Sequence, residues 1–158
     1  MKTPRLLAAA AGAALLLSGC GTANTAAVVD GHRISESGVL ETIEQVNQLS
    51  SQPMTAGAVL SQLIIEPAVT EVLAERGVTV SESSARSAAS AIGSPTPYLL
   101  DIVKLNLGIG QLTEEERSEA IERIKDLDIS VSPRYGTFDP ERGVITAETA
   151  DWIAEPAQ

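Results

Sequence analysis

Apolar residues recur every three to four positions after Ser35, the spacing that places them on one face of an α-helix. Ser35 is a suitable N-cap, and Ile34 and Val39 stand where a hydrophobic staple needs apolar residues. Pro53 prevents the helix from continuing. We therefore predict a first helix from Ser35 to near Ser50, with an apolar face formed by Val39, Leu40, Ile43, Val46 and Leu49.

A longer apolar stretch predicts a second helix from about Thr55 to Glu75. Its apolar stripe is so broad that we expect this helix to be central and buried. Pro67 lies inside it and predicts a kink or a split near Glu66, because proline removes a backbone donor and clashes with the preceding turn. The stripe consists of Val59, Leu60, Leu63, Ile64, Val69, Val72 and Leu73.

Two further helices are predicted in the middle of the chain. Ser81 is an N-cap candidate for a short polar helix with little apolar surface. An apolar stretch from Tyr98 to Leu107 predicts a fourth helix, and Gly108 and Gly110 should end it.

A capping box formed by Thr113 and Glu116 predicts the start of a fifth helix. Three consecutive carboxylates, Glu114 to Glu116, then stand beside the positive end of the helix. Glu119 and Arg123 have the spacing of an i,i+4 ion pair. We expect four apolar side chains to face inward: Ala120, Ile121, Ile124 and Leu127.

Both ends of this helical region carry strand-like segments. Residues 26–34 (AAVVDGHRI) combine β-branched residues with an Asp-Gly turn signal, and apolar positions alternate between Ile129 and Val131. Residues 139–143 predict another turn, after which residues 144–146 return as a strand. Strands need backbone partners. The predicted fold is therefore mainly α, a bundle of about five helices closed by a small β-strand pair that the N- and C-terminal segments form.

The first residues of the chain have the pattern of an export signal. A basic tip containing Lys2 and Arg5 precedes an apolar run over residues 6–17, which is well short of the roughly 20 residues of a spanning helix. The run ends in Leu17, Ser18, Gly19 and Cys20, which resemble a bacterial lipobox. The resemblance implies that Cys20 is alkylated with diacylglycerol and becomes the first residue of the mature protein. The alternative is an ordinary secretory signal with an incidental cysteine.

The lipobox resemblance gives a domain plan and a location. We expect a lipoprotein signal peptide over residues 1–19, a lipidated tether over 20–26, a helical domain over 27–153 and a disordered tail over 154–158. The protein would be held at the cell membrane by its lipid anchor, on the extracytoplasmic face.

Charge and cysteine content narrow the possible partners. The formal net charge is −10 and becomes −12 without residues 1–19, which carry two basic residues and no acidic one. A surface this acidic repels phosphate backbones and anionic lipid headgroups. We therefore expect that the protein has no nucleic-acid partner and that it contacts the membrane through its lipid alone. Cys20 is the only cysteine, which excludes a disulfide within the chain.

Candidate catalytic groups are few. His32 is the only histidine and lies in a predicted turn, and no G-x-S-x-G elbow accompanies it. The carboxylates from Glu114 to Glu116 point in different directions on a helix, so they favour stabilisation of the helix start over metal binding. Gly108 and Gly110 follow a predicted helix, whereas the glycines of a phosphate-binding loop precede one. We predict no enzymatic activity, no metal and no cofactor.

Three segments resemble the N-terminal domain of SurA-type extracytoplasmic chaperones. They are AAVVDGHRI (26–34), LSQLIIEPAVTEVLAERGVTVS (60–81) and ISVSPRYGTFDP (129–140), of which PRYGTFD is the most specific. The resemblance implies a chaperone-like domain. It does not extend to a parvulin prolyl-isomerase domain, because Leu127 and Ile129 are nearly adjacent where that domain usually lies. The motif residues are Pro133, Arg134, Tyr135, Gly136, Phe138 and Asp139.

We interpret this motif as structural, with Tyr135 packed on the helices, Arg134 paired with a surface carboxylate and Gly136 in a turn or bulge. A catalytic or binding role of Arg134 and Tyr135 is the alternative.

Three functions remain open. The first is a holdase or assembly factor that binds apolar segments of secreted polypeptides, with client contact near residues 88–100. The second is an interaction module for one dedicated envelope protein. The third is a lipoprotein that binds a small apolar ligand.

Overall fold

A computed structural model describes residues 24–147. The lipobox, Trp152, and the segments predicted to be the signal peptide and the disordered tail lie outside the described residues. The described part contains five helices and five short strands, so the prediction of a mainly α fold is confirmed. The strands form two small antiparallel sheets, where one strand pair was predicted. In chain order the elements are β1 (Thr25–Val29), β2 (His32–Ser35), α1 (Glu36–Leu49), α2 (Ala56–Glu75), α3 (Glu82–Ala88), α4 (Pro97–Ile109), α5 (Glu114–Asp126), β3 (Ile129–Val131), β4 (Thr137–Asp139) and β5 (Val144–Thr146).

Every helix begins at a hydroxyl residue that caps it. In each case the side-chain oxygen accepts a hydrogen bond from the backbone N–H three residues later, which satisfies a donor that has no partner inside the helix. Thr113 and Glu116 form the predicted capping box, with both reciprocal hydrogen bonds present. The five caps are Ser35, Thr55, Ser81, Thr96 and Thr113.

Helix α2 is the centre of the fold. It contacts α1, α4, α5, β1 and β5, and Val59, Leu60 and Ile64 are completely buried. By length and composition α2 is the one helix within residues 24–147 that could cross a membrane, but half of its apolar window is buried within the fold. It is therefore packed as a core helix, as the broad apolar stripe predicted.

Three details of the helices differ from the sequence prediction. Pro67 does not split α2, which runs without a break from Ala56 to Glu75; the proline is exposed, while Ile64 and Ala68 on either side are buried in the core. Gly108 does not end α4 but lies inside it, where a Cβ would meet Leu73 Cδ1 at 2.8 Å, so the glycine lets α4 approach α2. Helix α4 ends at Ile109 and is capped by Gly110, as predicted.

The third difference is the orientation of apolar side chains at helix surfaces. Ile121, predicted to face inward, is 40% exposed, and Leu40 is 51% exposed. Leu49, at the end of α1, is exposed as well. Apolar spacing alone placed these residues on the inner face, but no other element packs over them.

Strand β1 joins the two ends of the described chain. It pairs antiparallel with β2 on one side and with β3 on the other, where Ala27 lies opposite Val131 and Val29 opposite Ile129. The predicted pairing of the terminal segments is thus present, as part of a three-stranded sheet. Strand β1 already begins at Thr25 and Ala26 is fully buried, so the folded part starts ahead of residue 27, the predicted boundary.

The first hairpin has a tight turn whose two residues, Asp30 and Gly31, have positive φ angles of 47° and 79°. This is the combination that two-residue hairpin turns favour. His32 is consequently the first residue of β2 and not part of the turn, and its side chain is exposed.

A second hairpin, formed by β4 and β5, packs on α2. The backbone N–H of Ile145 in β5 donates to Ser61 Oγ of α2 at 2.8 Å. The turn of this hairpin is held by Asp139, whose Oδ1 accepts the N–H groups of Glu141 (2.9 Å) and Arg142 (3.2 Å). The predicted turn over residues 139–143 and the returning strand are both present.

Gly136 connects the two sheets and has no room for a side chain. Its φ angle is +103°, and a Cβ would lie 2.1 Å from the carbonyl oxygen of Thr146. Both the backbone conformation and the contact with β5 therefore require glycine.

We expect Gly136→Ala to lower the free energy of unfolding by at least about 2 kcal/mol, because the alanine combines an unfavourable φ with a backbone clash. Urea unfolding measured by circular dichroism tests this. Gly93→Ala is the matched control, since Gly93 is exposed and a Cβ there meets nothing within 4 Å. Equal stability of the two variants would show that β4 and β5 are not packed as described.

Candidate functional site

The residues of the PRYGTFD motif make contacts inside the fold. Arg134 forms an ion pair with Glu36 at the start of α1, so the carboxylate partner predicted for it is present. Tyr135 is partly buried against the apolar core, and this burial, together with the nearby charge of Glu36, raises the pKa of its hydroxyl. Pro133 accepts the N–H of Gly136 through its carbonyl, which closes the turn after β3.

Phe138 and Asp139 complete the motif. Phe138 packs against the core cluster, and Asp139 holds the turn of the β4–β5 hairpin. The motif thus links the C-terminal hairpin to the first helix and the core. It lines one shallow depression beside α5, through Gly136 and Phe138.

The carboxylates at the start of α5 do not meet in a common site. Glu116 accepts the backbone N–H of Thr113, which lowers the pKa of its carboxyl, and it also pairs with Arg76 at 3.1 Å. Glu114 pairs with Arg117 at 3.2 Å. Within residues 24–147, no group of three or more His, Cys, Asp and Glu side chains is placed to hold a metal ion.

The region near residues 88–100, where client contact was expected, offers little exposed apolar surface. Four apolar side chains of this region are buried in the fold: Ala89, Ile92, Leu99 and Leu100. Helix α3 has a polar sequence with little apolar surface, but it packs against α4.

Solvent-accessible apolar surface lies instead around the tip of the β4–β5 hairpin. A first open depression of about 490 Å³ lies between α2, α4 and β5. Its lining is more apolar than polar, and five polar side chains contribute to it: Thr55, Ser61, Gln62, Asn106 and Arg142. It is lined by Thr55, Ala58, Ser61, Gln62, Ile65, Leu105, Asn106, Ile109, Arg142, Gly143, Val144 and Ile145.

A second open depression, of about 240 Å³, lies on the other side of the hairpin turn and faces α5. It shares Ile65, Ile109, Arg142 and Gly143 with the first. We call the two depressions together the apolar groove and each of them a lobe. The second lobe is further lined by Val69, Leu112, Arg117, Ala120, Ile121, Ile124, Pro140 and Glu141.

The groove collects exposed apolar side chains. Six large hydrophobic residues are exposed within residues 24–147, and Ile109, Ile121 and Val144 all line the groove. Single exposed hydrophobic residues are ordinary on a protein surface, whereas several around one concave surface mark a binding site. The groove is therefore the candidate functional site.

One polar atom in the groove lacks a partner. Gln62 Oε1 is buried and accepts no hydrogen bond from residues 24–147. An unsatisfied buried acceptor costs about 1–3 kcal/mol.

Sequence reasoning missed this groove. Ile121 could have been noticed as a large apolar residue on a helix that is otherwise mostly charged. The other walls come from α2, α4 and the hairpin turn, which are far apart along the chain and meet only in the fold.

No protein family, curated protein or solved structure matches this chain.

Gln62→Leu removes the unpaired acceptor and keeps a side chain of similar volume. We expect it to raise the free energy of unfolding by about 1 kcal/mol, because the cost of the buried amide oxygen disappears. Thermal or urea unfolding tests this.

Gln48→Leu is the control for that substitution, since Gln48 lies on an exposed face of α1 and should change stability by less than about 0.5 kcal/mol. A Gln62→Leu protein less stable than the wild type would show that the amide is satisfied in the folded state.

Proposed function

We propose that this protein binds apolar segments of other polypeptides in the groove, as a chaperone-like holding or assembly factor that performs no chemistry. The observation that carries the proposal is the open groove itself, with Ile109, Ile121 and Val144 exposed along it. The resemblance of residues 26–142 to the SurA N-terminal domain supports the same function.

The magnitude of the exposed surface suits weak, reversible binding. Complete burial of an Ile or Val side chain contributes about 1.5–3 kcal/mol, and the three groove residues are already roughly two-thirds buried. Covering the remainder contributes about 2 kcal/mol in total, and association costs several kcal/mol. Net binding therefore also depends on the apolar surface that the client itself buries in the two lobes, and release remains easy.

The shape of the groove favours a polypeptide over a small ligand. Pockets for small molecules typically enclose most of the ligand surface, whereas both lobes here are open and meet at the hairpin turn. An extended chain can cross the turn and occupy both. A dedicated envelope protein and a small apolar ligand are the alternatives that the experiments below separate.

We also propose that the protein is a lipoprotein, anchored at the extracytoplasmic face of the cell membrane through Cys20. Two or more acyl chains anchor a protein stably where one does not. The acidic surface adds no attraction to anionic headgroups, so the acyl chains hold the protein at the membrane by themselves.

A soluble form that begins at Gly21 should suppress the aggregation of an unfolded client protein, followed by light scattering. We expect Ile121→Asp to reduce this suppression by more than half, because the new charge lies in the second lobe and disfavours burial of apolar surface.

Leu40→Asp is the matched control, since Leu40 is more exposed than Ile121 but lies on α1, outside the groove. No suppression by the wild type at several-fold excess contradicts the holding function. Equal loss in both variants contradicts the groove as its location.

The two alternatives have their own signatures. One stoichiometric partner recovered from the cell envelope, with no suppression of aggregation, favours the dedicated interaction module. A small molecule that co-purifies in native mass spectrometry favours the ligand-binding lipoprotein.

Cys20→Ser should abolish incorporation of a labelled fatty acid and move the protein into the medium or the periplasm, because no thiol remains for the diacylglycerol. Ser18→Ala keeps a small residue in the lipobox and should remain labelled. A Cys20→Ser protein that stays bound to the membrane contradicts the lipobox interpretation.

A further inference from the structure

We infer that Arg142 selects client segments that carry a single carboxylate between two apolar clusters. This inference rests on the proposed function of the groove and specifies its substrate class. It follows from the position of Arg142, the lack of an ion-pair partner for its guanidinium among residues 24–147, and the apolar character of the surface on either side.

Arg142 lies where the two lobes meet. It lines both depressions, together with Gly143, Ile65 and Ile109. The backbone of the turn is fixed, because Asp139 Oδ1 accepts the N–H of Arg142 and the carbonyl of Asp139 accepts the N–H of Gly143 at 2.8 Å. The guanidinium is therefore attached to a rigid point while its side chain remains exposed.

The charge of Arg142 is unmatched. Within residues 24–147 no carboxylate lies within 4.0 Å of its guanidinium, although the chain is strongly acidic. Five other arginines each form at least one ion pair with a carboxylate: Arg76, Arg86, Arg117, Arg123 and Arg134.

The other charges at the groove do not neutralise it. Arg117 already pairs with Glu114. Glu141 lies on the same turn and is close enough to influence Lys125, which itself pairs with Glu122 at 2.8 Å. The junction of the lobes thus presents a planar cation between two apolar surfaces.

A carboxylate is the group that such a cation recognises best, because guanidinium can donate two parallel hydrogen bonds to it. The body of the protein, with a net charge of −12 without residues 1–19, repels acidic chains elsewhere. A carboxylate is therefore favourable only where it reaches Arg142, so it fixes the register of the client, with one apolar cluster in each lobe.

The test uses the full-length chain in phosphatidylcholine nanodiscs and three fluorescent peptides of identical apolar composition. One peptide carries Asp between two apolar clusters, the second carries Asp at its end, and the third carries Lys between the clusters. Exposed ion pairs are weak, so we expect the peptide with central Asp to bind about two- to five-fold more tightly than the others, and the difference to shrink at high salt.

Arg142→Glu should reverse the preference in favour of the peptide with central Lys. Arg86→Glu makes the same charge change on α3, outside the groove, and should leave the wild-type preference unchanged. Circular dichroism establishes that both variants are folded.

Equal binding of the three peptides overturns this inference and leaves the proposed function standing. Binding of none of them contradicts the proposed function itself. Self-association that Arg142→Glu abolishes would identify a second copy of the chain as the occupant, and would also overturn the inference.

Discussion

Burial of α2 is the constraint on which the rest of the structure depends. Its apolar residues form a broad surface, nine residues of the helix are buried, and that surface must be shielded from water by the surrounding elements. Helices α1, α4 and α5 and strands β1 and β5 each cover part of it. The cover is incomplete at Ile65, where the hairpin turn crosses α2 and the two lobes meet. The candidate site is thus the place where the central helix is left partly open.

The C-terminal segment is what makes this opening a groove. Ser61 of α2 accepts the N–H of Ile145 and so fixes β5 along the central helix, while Gly136 allows the preceding turn to approach Thr146. Arg134 ties the same region to Glu36 of α1. The PRYGTFD motif therefore closes the fold and positions the β4–β5 hairpin. The proposed binding surface lies around that hairpin.

The sequence predicted what short-range interactions determine. Helix starts were accurate because a cap such as Ser35 or Thr113 bonds to a backbone group only three residues away. The sequence could not show that Gly108 faces Leu73 or that Ile121 remains partly exposed, because both depend on which elements meet. The groove was unpredictable for the same reason, since its walls come from segments separated by tens of residues and a periodic pattern describes only one segment at a time.

The most direct test of the account is to see which methyl groups an apolar peptide contacts. In a protein with isotopically labelled isoleucine methyl groups, NMR spectra recorded during titration with such a peptide report each site separately. Binding in the groove predicts progressive chemical-shift changes at Ile65, Ile109 and Ile121, and none at Ile43 on α1. Changes confined to Ile43 and its neighbours, with the groove resonances unmoved, would contradict it.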